Sequence, residues 1–175
     1  MKNERLLRIL AALADAAPPS PDQLCTVCVQ VLEVAGAAVM VDGVEHRAPL
    51  CSSDDLAAQI EDLGLTLGEG PGVDAHHSGV PVIEPDLVHP RETRWPSFTP
   101  LAVKAGVAAI FAFPLRMGGV HLGALTLHQL RRGHLSSDQH QDAQVRLTLM
   151  PIMLAACMSW ATARIALPCR VFWTR

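Results

Sequence analysis

From Val107 to Leu115 the chain is apolar on both sides of an extended backbone. Val107, Ala109, Phe111, Phe113 and Leu115 share one face, and Ala108, Ile110 and Ala112 the other. A strand with two apolar faces has to be covered on both, which places it centrally in a sheet that carries a layer on each side. Gly118-Gly119 turns the chain back into Val120 to His128, so its neighbour is an antiparallel hairpin partner. Asp42-Gly43 signals a second hairpin between Ala37 to Val41 and a returning strand over Val44 to Cys51. Val80-Pro81-Val82-Ile83 adds a short strand, and its proline assigns it to an edge or to a strand start.

The covering layers are helical. Leu6, Ile9, Leu10 and Leu13 recur at helical spacing within Asn3 to Ala17, and Pro18-Pro19 stops that helix. Ser20-Pro21-Asp22-Gln23 is a capping box opening a second helix, whose stripe of Leu24, Val27, Cys28, Val31, Leu32 and Ala35 ends near Gly36. Ser53 is expected to cap a third helix, with Asp54 and Asp55 in its first turn, Leu56, Ile60 and Leu63 on its apolar side, and Gly64 at its end. Trp95, Phe98, Leu101, Ala102 and Ala105 give a further helix before Gly106, and Ser136 with Gln139 forms another capping box for a helix running through Leu147. The expected class is α+β: an antiparallel sheet of about five strands flanked by helices.

Between the third helix and the short strand lies Leu65 to Asp86. Gly68, Gly70, Pro71 and Gly72 force a tight bend, and Val73 to His77 has room for about one helical turn. Such a bend can turn backbone N–H groups toward a ligand. Its spacing is nevertheless neither the dinucleotide fingerprint nor the phosphate loop with its Lys-Ser/Thr end.

Composition narrows the class of role. Half of the 175 residues are hydrophobic and 18% charged, which argues for a folded chain, and a formal net charge of −3 gives no basic footprint for nucleic acid. The charged start, Met1 to Arg8, is not a signal region, and five cysteines is an odd count, so a reduced cytoplasmic setting is expected. Leu147 to Ala163 has no formal charge, but it is shorter than the roughly 20 apolar residues of a membrane span and contains Pro151. A buried or dimer-forming helix is the expectation there.

Five phrases in order now carry a family likeness: Leu67-Gly68-Glu69-Gly70-Pro71-Gly72-Val73-Asp74-Ala75, Gly79-Val80-Pro81-Val82, Arg94-Trp95-Pro96-Ser97-Phe98, Phe111-Ala112-Phe113-Pro114-Leu115-Arg116 and Leu122-Gly123-Ala124-Leu125. Together they resemble the GAF domain, in particular the actinobacterial type that often precedes an ANTAR RNA-binding domain. The likeness covers about 20–144, leaving an N-terminal helix in 1–19 and an apolar helix with an irregular tail in 145–175. That tail is short, apolar and not basic, so ANTAR output helices are not expected in it. The resemblance implies a sensory or regulatory module with a ligand pocket between sheet and helices, dimerising through terminal helices, here Asn3 to Ala17 and Val145 to Ala163. It implies pocket-lining roles for Cys51, Leu56, Val73, Asp74, His77, Trp95, Phe98, Phe111 and Phe113, with His76 and the backbone of the glycine bend as further polar candidates. It names no cofactor.

Three chemical readings compete with plain structure. Cys25-Thr26-Val27-Cys28 is a C-x-x-C pattern, but a zinc site needs a second pair at matching spacing and Cys51, Cys157 and Cys169 are scattered. Structural cysteines on an apolar stripe are expected instead. A haem-binding redox sensor would use His76 or His77, which as helix neighbours point about 100° apart, so at most one faces a given pocket. GAF-like free methionine sulfoxide reductases work through cysteines near the pocket, whereas here the bend carries Gly72 and no cysteine lies between Cys51 and Cys157. The expectation is therefore a non-catalytic sensory domain, with a ligand-free dimerisation or scaffolding module as the alternative.

Overall fold

The computed structural model describes residues 21–42, 47–90, 92, 94–137 and 139. The expected helices over Asn3 to Ala17 and Val145 to Ala163, and the turn at Gly43, lie outside them. In chain order come α1 (Pro21–Leu32), β1 (Gly36–Asp42), β2 (Arg47–Ser52), α2 (Asp55–Leu67), α3 (Pro71–Ser78), β3 (Val82–Glu84), α4 (Phe98–Lys104), β4 (Ala109–Met117) and β5 (Val120–Gln129). The five strands form one sheet in the order β2-β1-β5-β4-β3. Every neighbouring pair is antiparallel. This is the α+β plan the patterning implies, and β3 starts directly after Pro81, at an edge.

The strand period divides the core in two. One face carries Val39, Cys51, Phe111, Phe113, Leu115, Leu125 and Leu127 under Leu24, Cys25, Cys28 and Leu32 of α1. The other carries Ile110 and Ala112 under Ile60 of α2, Ala75 of α3, and Phe98 and Ala102 of α4, with Trp95 and Leu87 from the connecting loop. Phe111 and Phe113 are fully buried. Each removes about 1.5–3 kcal/mol worth of side chain from water.

Local chemistry corrects two sequence expectations about α2. Its N-cap is Asp54 rather than Ser53, because the Ser53 hydroxyl is used elsewhere: it accepts from the Ala37 N–H at 2.9 Å and donates to Asp54 at 2.6 Å. Asp54 in turn accepts from the Ala57 N–H at 2.8 Å. Gly64 does not end the helix but lies buried inside it, and the left-handed cap falls four residues later on Gly68, at φ 65°. The expected capping box after β5 is present, with Ser136 N–H donating to Gln139 Oε1 at 2.7 Å and Gln139 N–H to Ser136 Oγ at 3.2 Å.

The cysteines are also corrected. Cys25 is bonded not to its C-x-x-C neighbour but across the layers to Cys51 of β2, with the Cα atoms 6.0 Å apart. Cys28 remains a buried thiol in the same cluster. Closing a separation of 26 residues contributes about 3.5 kcal/mol of chain entropy in the usual treatment. No helix among the described residues is long and apolar enough to cross a membrane.

Candidate functional site

The glycine bend joins α2 to α3 and rests on the sheet. Gly70 has φ 137°, and a Cβ there would lie 3.1 Å from the Phe98 ring, so both its backbone and its surroundings call for glycine. Gly72, in the first turn of α3, faces β5, and a Cβ on it would lie 2.9 Å from Thr126 Oγ1. The bend is held from the other side by Glu69, whose Oε1 accepts the backbone N–H groups of Ser97 (2.6 Å) and Phe98 (2.7 Å) at the start of α4. Asp74 of α3 accepts from Trp95 Nε1 at 2.9 Å. Trp95 meets Phe98 edge-on at 6.2 Å and lies under the Arg94 guanidinium.

Between this assembly and the sheet is a cavity with apolar walls from Met40, Ile60, Val73, Phe98 and Ile110, and with Glu61, His76 and Thr126 as its polar members. Its volume is about 20 Å³, where one water needs about 10–15 Å³ on the same scale. It is therefore sized for a water and not, as it stands, for a metabolite. Thr126 is 4% exposed. Its hydroxyl has no hydrogen-bond partner among the described residues. A buried hydroxyl left in this way costs about 1–3 kcal/mol, so it is the polar atom at the site with the most to gain from a bound group.

The expected site residues separate accordingly. Val73 and Phe98 line the cavity. Asp74 and Trp95 bond to each other beside it, Leu56 packs into the same core, and His77 is exposed. Phe111, Phe113 and Cys51 lie apart from this cavity: they belong to the α1 face, on the far side of the sheet. The strand pattern grouped them properly but does not say which face receives which helix. Sequence reasoning missed Thr126, Ile110, Met40 and Glu61. The available signal is steric: Gly72 and Gly123 mark places where α3 and β1 come close to β5, with Thr126 Oγ1 2.9 Å from where a Cβ on Gly72 would lie.

At the two ends of this face lie further polar groups. His76 Nε2 is 3.4 Å from the Asp42 carboxylate, and His121 Nδ1 donates to the His76 carbonyl at 2.7 Å. At the β1 end, His128 is buried beside Gly36 and Asp54. Burial pushes its pKa down from the ordinary value, against the pull of Asp54. Burial alone would raise the Asp54 carboxyl, but the Ser53 hydroxyl, the Ala57 N–H and His128 together hold it below the usual range. Beyond β3 an open groove of about 770 Å³ is lined by charges of both signs. Those charges are matched within the groove, Arg94 to Glu84 at 3.6 Å and Arg132 to Asp86 at 3.3 Å. Among the described residues no three His, Cys, Asp or Glu side chains are placed to hold a metal ion.

A family model for the GAF domain matches residues 22–150, well over half of the chain. The chain belongs to the GAF domain family, whose members are mostly sensory or regulatory. It is similar in fold to the GAF domain of a phosphoenolpyruvate-protein phosphotransferase from Coxiella burnetii, at 20% identity, TM-score 0.65, and coverage of 94% of this chain and 96% of that one. The chromophore-binding domain of a bacteriophytochrome from R. palustris is similar at 11% identity and TM-score 0.63, over 89% of this chain and 62% of that one. A type II free methionine-R-sulfoxide reductase from Thermoplasma acidophilum is similar at 15% identity and TM-score 0.53, over 75% of this chain and 89% of that one. No curated protein matches. At these identities the structures share the fold with this chain and carry no activity to it.

Proposed function

We propose that the chain is a non-catalytic GAF-type sensory or regulatory domain of the cytoplasm, that a small ligand enters between the glycine bend and β5, and that the response passes to a homodimer through Asn3 to Ala17 and Val145 to Ala163. The observation that carries the reading is the buried, unpartnered Thr126 hydroxyl facing a cavity with apolar walls. A ligand larger than water has to part α3 from the sheet, and its affinity is reduced by the cost of that opening. The second reading is a ligand-free dimerisation or scaffolding module, and the cavity's volume of about 20 Å³ favours it.

A thermal-shift screen of nucleotides, haem and small metabolites separates the two. A ligand at 100 times its Kd stabilises by about 2.7 kcal/mol. The sensor reading expects at least one compound to raise the midpoint and Thr126→Val to diminish that rise. An unchanged midpoint with every compound overturns the sensor reading and leaves the scaffold.

A further inference from the structure

The disulfide lies on the opposite face from the cavity, and nothing in the sensory reading uses it. Cys25 is completely buried on α1, and Cys51 is 6% exposed on β2, an edge strand with a sheet partner on one side only. The α1 face does not need the bond in order to exist. Leu24 and Leu32 already close on Phe111, Phe113, Leu125 and Leu127, an apolar core larger than that of small domains that depend on disulfides. What the bond fixes is where α1 sits against β2.

The other end of α1 is tied elsewhere. Seven residues beyond Cys25, about 10 Å along the helix axis, the Leu32 carbonyl accepts from Gln139 Nε2 at 2.7 Å. The next carbonyl, Glu33, accepts from Gln129 Nε2 at 3.2 Å. Gln139 is the same residue that completes the capping box with Ser136. A single helix therefore connects the disulfide to the capping box that follows β5.

We propose that Cys25–Cys51 is a reversible thiol–disulfide site, with a dithiol as its reductant, and that its state is transmitted along α1 to the capping box of Ser136 and Gln139. One thiolate of the dithiol attacks Cys51 Sγ, and the Cys25 sulfur leaves as a thiolate and takes up a proton. The second thiolate of the dithiol then displaces Cys51 from the mixed disulfide, and that sulfur is protonated in turn. The net change is a two-electron reduction, with two protein thiols formed and the dithiol oxidised to a disulfide. Entry is from the β2 edge, where local opening breaks one strand ladder and not two. The proposal does not depend on ligand binding at Thr126.

The test uses the full chain, oxidised with glutathione disulfide or reduced with dithiothreitol, with cysteine alkylation mapped by mass spectrometry and amide exchange followed by peptide. Reduction is expected to make Cys25 and Cys51 alkylatable under native conditions and to speed exchange at Ser136 and Gln139 by about tenfold. Peptides over Phe98 to Lys104, on the other face, should not change. Returning to glutathione disulfide restores both readouts. Cys28→Ser should behave as the parent chain, and Gln139→Ala should make the exchange at Ser136 indifferent to redox state. Failure of the bond to form, reduction only after unfolding, or equal exchange at Ser136 and Gln139 in both states each overturns the proposal. Because the readout compares two states of the parent chain, a variant that fails to fold does not obscure it.

Discussion

The two faces of the sheet are built from the same strands but by different means. The α1 face is packed with large side chains and stapled by a covalent bond. On the α2–α3–α4 face, glycines and alanines let helices come close, polar contacts hold the loops, and a small cavity with a stranded hydroxyl remains. Close packing gives one face a single arrangement, whereas incomplete packing leaves the other able to change. The difference teaches that the place to look for a ligand is where a buried polar group is left without a partner.

Three perturbations put that contrast at risk. The largest effect is expected from Phe113→Ala, which should lower unfolding free energy in urea by about 3–5 kcal/mol. Val73→Ala at the cavity should cost about 1 kcal/mol, since that side chain is only partly buried. Equal costs would mean that the faces are packed alike. Next, Glu69→Ala removes the acceptor from two N–H groups at the α4 start and should cost about 1–2 kcal/mol, as the loss of a helix cap does. Amide exchange at Ser97 and Phe98 should speed up with it, since both N–H groups lose their acceptor.

The smallest effect is a pH dependence on the cavity face. His128 has a folded pKa below its ordinary value of 6.5, so the unfolded chain binds more protons in that window. Its contribution is therefore complete above about pH 6.5 and declines as pH falls toward the folded pKa. Asp54, also depressed in the fold, keeps its contribution until pH drops below the ordinary carboxylate value of 3.8. Melting temperatures of the parent chain should accordingly fall between pH 7 and 5, and His128→Gln should flatten that stretch while leaving the steeper acid limb. A parallel fall in both proteins would show that His128 is not its source.

Much of the fold was legible because its signals are local. The two-sided strand, both hairpins, Pro81 at a strand start and the Ser136–Gln139 box each depend on residues a few positions apart. The ends of α2 were not, since Ser53 and Asp54 are both good caps and the choice was made by Ala37, sixteen residues earlier. Gly64 was misread because an interior glycine costs a helix only about 1 kcal/mol, which the packing of Ile60 beside it outweighs. Phe111, Phe113 and Cys51 lie across the sheet from the cavity, which the sequence does not reveal, since a period of two sorts residues into faces without saying which face receives which helices. The disulfide was invisible for the same reason that it is effective: its partners are 26 residues apart.

Glu69 also answers what the glycine bend could do with a phosphate. A helix start with two N–H groups in line is a natural berth for a negative group, and here it is already occupied by a carboxylate from the chain itself. The molecule carries its own anion, tethered to the bend, so that its binding there is intramolecular. Loss of that carboxylate would strip both N–H groups of their acceptor and release the bend from α4 in one step. Occupancy there and freedom of the bend are thus alternatives: one carboxylate holds the berth and the latch together.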